Sequence, residues 1–174
     1  PGVIGMPFLK QFNLLFDHPN RRFGLYHRGQ LPSYVSEPEW KKVELLSPCR
    51  GIVLPVKFRD DAKTYYCLLD SPSIAVDGEM QGYDLIRSQS ELGKRLQQMD
   101  LVETGPSEAG VVGRFRSGDF HTLCGTQLSI LDFMLVDLQY PQWDALLGYH
   151  FLRQHSIFVD FDRDCLYLRP MSTT

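Results

Sequence analysis

Apolar residues along this chain fall in short runs, and most runs end at Gly, Pro or Asp. That pattern predicts strands more than helices. Residues 52–58 (Ile-Val-Leu-Pro-Val-Lys-Phe) predict a strand. Pro55 cannot donate to a ladder, which puts that strand at an edge or a bulge. Residues 64–69 predict its hairpin partner, with Arg59-Asp60-Asp61-Ala62-Lys63 as the turn. Residues 111–115 and 126–138 predict two more strands, the second long enough to bend or break. A last hairpin, 158–161 with 165–169, turns across Asp162-Arg163-Asp164. Helical spacing is found at Leu92, Leu96 and Met99, where Ser88 and Glu91 form a capping box, and in a short stretch at 149–154. Residues 29–50, punctuated by Pro32, Pro38 and Pro48 and anchored by Trp40, Leu45 and Leu46, predict a connector. Residues 102–110 predict a mobile loop. The elements add up to an all-β fold with short helices, not to alternating βαβ units.

One pattern occurs twice. Gly2-Val3-Ile4-Gly5-Met6-Pro7-Phe8-Leu9-Lys10-Gln11-Phe12-Asn13-Leu14-Leu15-Phe16-Asp17 returns without a gap as Ala145-Leu146-Leu147-Gly148-Tyr149-His150-Phe151-Leu152-Arg153-Gln154-His155-Ser156-Ile157-Phe158-Val159-Asp160. The match continues into the hairpin, where Phe23 and Leu25 align with Leu166 and Leu168. Each copy reads as a strand end, a glycine, a helical turn carrying Phe-Leu, a strand and a returning hairpin. Only one stretch is long enough to form a lobe that such a unit closes. The expected organisation is therefore a closing unit at 1–28 from a first lobe whose beginning is absent, a linker at 29–49, and a complete lobe at 50–170.

The chain has 174 residues, which suits one domain of ordinary size. Its hydrophobic fraction of 43% and charged fraction of 22% are those of a folded protein, not a disordered one. The net charge is −3, with 18 Lys and Arg against 21 Asp and Glu. No cationic surplus favours nucleic acid or an anionic membrane as partner. No stretch is apolar for the ~20 residues a membrane span needs. No signal peptide is visible before residue 20, and the absent initiator Met reads as a trimmed piece of something longer. The compartment stays open. Cys49, Cys67, Cys124 and Cys165 are widely spaced, without a CxxC. They fit two disulfides in any of three pairings, or four buried thiols.

With the repeat in place, the sequence resembles the pepsin-like and retropepsin-like aspartic proteases. Asp144-Ala145-Leu146-Leu147-Gly148-Tyr149-His150-Phe151-Leu152 looks like the family's apolar-apolar-Gly segment and helix, and so does Gly2-Val3-Ile4-Gly5-Met6-Pro7-Phe8-Leu9. Leu68-Leu69-Asp70-Ser71-Pro72-Ser73 stands where the family has an apolar pair and Asp-Thr/Ser-Gly. The resemblance covers residues 50–170 and the first 28. It implies a pepsin/retropepsin-like β-barrel lobe acting in peptide-bond hydrolysis, with no cofactor and no metal. Two such Asp loops face each other in the family, and their carboxylates share a proton. Asp70 would be the acid/base residue and Ser71 its loop tether, with Leu147 and Gly148 packing behind the loop. Ser73, Arg116 and Phe120 are the candidate peptide contacts. The partners implied are a peptide or protein substrate and either a missing first lobe or a second copy of the chain, whose Asp70 would meet the first on a two-fold axis. Pro72 departs from the pattern, because it removes an N–H that the family's glycine points at the carboxylates. That departure sustains a rival reading, a catalytically inactive peptide-binding or dimerisation module.

The remaining constellations are weaker. The five histidines show no metal-ligand spacing, and no GxSxG, P-loop or GxGxxG occurs. Cys124 near His121 is a candidate nucleophile without an orienting third residue. Arg114 to Phe120 alternates charge and aromatic residues and predicts a hairpin in the position of the family's flap. The acidic turn 160–164 reads as a solvated hairpin turn in preference to a calcium loop.

Overall fold

The structure is a computed structural model that describes residues 5–46, 51–69, 84–104, 110–137 and 143–171. It is mostly β, with a few short helices. In chain order the elements are α1 (Met6–Leu9), β1 (Phe12–Asp17), β2 (Arg22–His27), a 3-10 turn at Ser33–Ser36, β3 (Lys41–Glu44), β4 (Ile52–Phe58), β5 (Tyr65–Leu69), β6 (Asp84–Arg87), α2 (Glu91–Gln98), β7 (Val111–Ser117), β8 (Phe120–Thr122), β9 (Leu131–Val136), β10 (Ala145–Leu147), α3 (Tyr149–Leu152), β11 (His155–Asp160) and β12 (Cys165–Pro170). Among the described residues no helix is long and apolar enough to cross a membrane.

Two sheets share one core. The first has the order β2-β1-β11-β12-β3 and the second β7-β9-β6-β10-β5-β4-β8. The second sheet curls. β7 and β8 sit at its opposite ends, yet only Gly118 and Asp119 separate them in the chain. Two residues cannot cross a flat sheet of seven strands, whose spacing is about 4.8 Å. Phe58, Phe115, Phe120 and Phe133 fill the closure, with ring centroids 5.0–5.7 Å apart along the chain of contacts. The segment expected to form a flap is thus a joint between sheet edges. β7 pairs with β9 and β8 with β4, not with each other.

Strand β4 runs over the residues its pattern predicted, but it lies between β5 and β8 and not at an edge; Pro55 faces Tyr66 on β5, whose N–H goes to Asp144, and lies just outside the short stretch that pairs with β8, from Val56 to Phe58. Its missing N–H therefore interrupts no ladder. The long run 126–138 narrows to β9, preceded by an isolated bridge from Gln127 to His121. Helix α2 starts two residues later than the capping box implied. Ser90, not Ser88, is the N-cap, and its Oγ accepts the Gly93 N–H at 3.0 Å. This start turns Leu92 and Leu96 into the core. It also brings Gly93 so close to the Arg87 carbonyl that a Cβ there would clash with that oxygen. The two-disulfide framework does not form, since Cys67, Cys124 and Cys165 carry free thiols; Cys49 lies outside the described residues.

The two sequence copies fold alike. Met6, Phe12 and Arg22 open α1, β1 and β2, and the residues 143 positions later, Tyr149, His155 and Cys165, open α3, β11 and β12. Gly5 and Gly148 both precede their helices with extended backbone. Leu9 N–H donates to the Gly5 carbonyl at 3.2 Å, and Leu152 N–H to Gly148 at 3.0 Å. Arg21 and its mate Asp164 close the hairpins at φ 53° and 46°. The copies also pair with each other. Leu15 faces its own mate Phe158, while Leu14 faces Val159 and Phe16 faces Ile157. That register is reciprocal about a local two-fold axis at Leu15 and Phe158.

The connector crosses the face of the first sheet opposite the main core. Val35 and Trp40 bury against Leu15 and Phe158 there, and Arg169 covers the Trp40 ring at 5.0 Å. Leu45 is buried, whereas Leu46 is exposed.

Candidate active site

Two parallel strands precede the Asp70 segment and Gly148 in the chain. β5 and β10 run side by side with Cys67 beside Ala145, Leu68 beside Leu146 and Leu69 beside Leu147. Leu69 directly precedes Asp70 in the sequence, and Leu147 directly precedes Gly148. Asp70, Ser71, Pro72 and Ser73 themselves lie outside the described residues.

Asp144 fixes the approach to this pair. Its Oδ2 accepts the Tyr66 N–H at 3.0 Å, its own N–H donates to the Tyr66 carbonyl at 2.9 Å, and Oδ1 accepts the Leu92 N–H at 3.4 Å. One residue thereby ties the strand before Gly148 to β5 and to the start of α2. Arg87 adds a second tie, from Nε to the Trp143 carbonyl at 2.6 Å.

Asp84 fixes the exit. It is fully buried at the start of β6. Its Oδ1 accepts the Gly148 N–H at 2.7 Å and the Phe151 N–H at 3.2 Å. Gly148 has no side chain with which to cap α3, so a carboxylate from another strand satisfies those donors. Oδ2 has no hydrogen-bond partner, and His150 Nδ1 stands 3.6 Å from it. Burial raises the Asp84 pKa above the ordinary carboxylate value, against the opposing pull of His150, Gly148 and Phe151. With no exposure, Asp84 meets nothing from solution and holds the start of α3 in place. Sequence reading passed it over. Its one signal was a carboxylate opening the apolar run Asp84-Leu85-Ile86.

His155 is likewise buried. Its Nδ1 donates to the Phe151 carbonyl at 2.8 Å, which leaves Nε2 to accept from Ser129 Oγ at 3.2 Å. Ser, His and an orienting acceptor stand in the order of a nucleophile and its base. The imidazole is a poor base, however, because burial lowers its pKa to about 4.

Arg116 and Phe120 part company. Arg116 is exposed on β7 and opens onto a cavity of about 810 Å³, together with Ser129, Ile130, His150 and Arg153. Phe120 is fully buried among aromatic rings, and its side chain offers a peptide no surface. Cys124 is exposed, but the partners of its Sγ are Thr122, Thr126 and the Lys42 carbonyl, with His121 not among them. Burial pushes its pKa up, and the hydrogen bonds of Thr122 and Thr126 outweigh that and leave it lowered. In the acidic turn, Asp160 is taken up by Arg163 and by the N–H groups of Asp162 and Arg163. Asp162 is taken up by Arg28, Gly29 and Asn13. Among the described residues no group of three or more His, Cys, Asp and Glu could hold a metal ion. No protein-family model matches the chain, and no curated protein matches it.

Proposed function

We propose that this chain is an aspartic-protease-like lobe joined to the closing unit of a second lobe, and that Asp70 is its half of a catalytic carboxylate pair. The observation that carries the reading is the reciprocal pairing of the two copies about Leu15 and Phe158. A two-carboxylate site needs two loops related by such an axis, because two carboxyl groups about 3 Å apart hold one proton between them and so act as base and acid together. The parallel pair β5 and β10 supports the reading, since it brings the residue before Asp70 level with the residue before Gly148. In this reading one carboxylate takes a proton from water, the water attacks the peptide carbonyl, and the other carboxyl supplies the proton that the carbonyl oxygen or leaving amine needs.

The same pairing weighs against a homodimer. The edge of β11 that a second chain would need is already occupied by β1. The rival with an observation in its favour is the inactive peptide-binding module, because Pro72 withdraws a backbone donor from the carboxylate loop. Peptide-library cleavage at acidic pH, by the two-lobed protein that holds this chain and its partner carboxylate, separates the two. For the protease, Asp70→Asn lowers the rate by about a thousandfold. Cleavage that survives the substitution rules the mechanism out, and a wild-type two-lobed protein that binds peptides without cutting them selects the rival.

A further inference from the structure

Charge does not balance on the connector's side of the first sheet. One cross-strand row there runs Arg22, Asp17, Ser156, Arg169, each residue opposite the next on β2, β1, β11 and β12. Asp17 is buried, and its oxygens are taken by neutral groups. Asn20 Nδ2 lies 3.0 Å from both of them, and Ser156 Oγ donates to Oδ1 at 2.7 Å. The equivalent carboxylate of the second copy, Asp160, forms an ion pair with Arg163 instead. The first copy thus satisfies its turn carboxylate without an arginine. Arg21, Arg22 and Arg169 have no ion pair among the described residues.

These three arginines line one cavity of about 710 Å³, walled by Tyr26, Tyr34 and Trp40. Donors outnumber acceptors around it. Trp40 Nε1 is buried without a hydrogen-bond partner. The Tyr26 and Tyr34 hydroxyls share one hydrogen bond of 2.9 Å, which leaves the hydrogen of one of them without an acceptor among the described residues. Arg169 is half-buried, with its guanidinium held over the Trp40 ring at 5.0 Å. A cation taken that far out of water calls for an anion nearby.

We propose that this cavity binds a phosphate monoester carried on an aromatic ring, with the phosphate among the guanidinium groups of Arg21, Arg22 and Arg169 and the ring against Tyr26 and Tyr34. Three guanidinium groups and one carboxylate leave an excess of two positive charges in the lining. A phosphate monoester brings about −1.5 to −2 at neutral pH, whereas a carboxylic acid brings one negative charge. Guanidinium forks grip phosphate oxygens in pairs, and tyrosine rings receive a flat ring by stacking or edge contact. The inference does not rest on the protease reading.

The probe is phenyl phosphate, titrated into the intact chain by calorimetry. The Trp40 indole N–H is followed by NMR and assigned through Trp40→Phe. Phenyl phosphate is expected to bind with a dissociation constant of about 1 mM or below and to shift that resonance. Benzoate and inorganic phosphate each bind about tenfold more weakly, because one lacks half the charge and the other the ring. Arg22→Gln and Arg169→Gln each weaken phenyl phosphate about tenfold, and Arg22→Lys recovers only part of the loss. Arg22 is exposed, so Arg22→Gln keeps the thermal midpoint and isolates the binding effect. A phosphotyrosine peptide separates the sources of the ligand. Binding tighter than phenyl phosphate assigns the site to a phosphorylated segment, weaker binding assigns it to a free aryl phosphate, and both uphold the chemistry. The inference is overturned by no saturable binding of phenyl phosphate, by benzoate binding as tightly, or by affinity that Arg22→Gln and Arg169→Gln leave unchanged.

Discussion

Residues 5–27 and 148–170 form two copies of one local structure in two different environments. Helix, strand, turn and strand start at equivalent positions in both, and even ring contacts recur. Phe8 and Phe12 lie 5.4 Å apart, and their mates Phe151 and His155 lie 4.2 Å apart. Burial does not recur. The second copy is sealed in the main core, and much of the first faces water. Conformation in these units is therefore set by neighbours in the sequence, through the glycine, the helical turn and the hairpin. Stability is set by what the unit is packed against, as expected where most helix and strand stability comes from tertiary burial.

The largest effects test that division directly. Phe151→Ala is expected to cost about 3–5 kcal/mol, the range for an aromatic ring removed from a closed core. Phe8→Ala, at a half-exposed mate, costs less than about 1 kcal/mol. Urea denaturation of the two variants measures the difference. Equal losses would break the comparison, because they would mean that Phe8 is covered in solution.

The next effect concerns protons. His155 has Phe12 as its mate, a ring that cannot titrate. Burial holds the folded His155 pKa at about 4, against about 6.5 in an unfolded chain. As pH falls, the unfolded chain takes up its proton first. The contribution of His155 is complete above about pH 6.5 and is lost as pH falls toward 4, a total of about 3 kcal/mol. His155→Phe makes the second copy resemble the first, and its thermal midpoint should fall less steeply over that window. An unchanged slope would assign the acid sensitivity to other groups.

How much of this was legible beforehand follows from the range of the interactions. The span of β4, the closing hairpin and the two copies could be read because pattern and turn residues lie close together in the chain. The flap could not. Arg114-Phe115-Arg116 correctly alternates out and in, but only the order of the second sheet reveals that β7 and β8 go to opposite edges. The cap of α2 was misplaced by two residues because two serines flank the start and the core decides between them. Asp84 was invisible as a cap, since 64 positions separate it from Gly148 and only the β6–β10 pairing brings them together.

Asp84 also distinguishes the two helical turns. α3 has a carboxylate acceptor for the N–H groups of Gly148 and Phe151, and α1, which follows Gly5, has no such acceptor among the described residues. Asp84→Ala should cost about 2 kcal/mol by leaving buried donors unpaired, and α3 amides should then exchange as α1 amides do. Asp84→Asn should cost far less. Its oxygen can still accept from Gly148 and Phe151, and its amide can face His150. Because burial raises the folded Asp84 pKa, the folded state holds that proton more tightly than the unfolded one. The stabilising contribution is present at acid pH and is lost as pH rises through the raised value. The asparagine variant should therefore gain on the wild type as pH rises toward neutrality. A variant that instead loses ground with rising pH would show that the ionised carboxylate is the form the fold prefers.

The smallest effect is one the two copies should share. Arg21 and Asp164 occupy equivalent turn positions with φ of 53° and 46°, a region that costs a side-chain-bearing residue about 1 kcal/mol. Glycine enters that region without strain, at some entropic cost in the unfolded chain. Arg21→Gly and Asp164→Gly should each raise stability by up to about 1 kcal/mol. The two gains should be similar although the turns lie at the ends of differently buried hairpins, because the strain belongs to the backbone of the turn and not to its surroundings. Thermal denaturation of both single variants reads this out. A gain at one turn and a loss at the other would mean that packing reaches into the turns as well, and the separation between local conformation and tertiary burial would fail at the position where it ought to be cleanest.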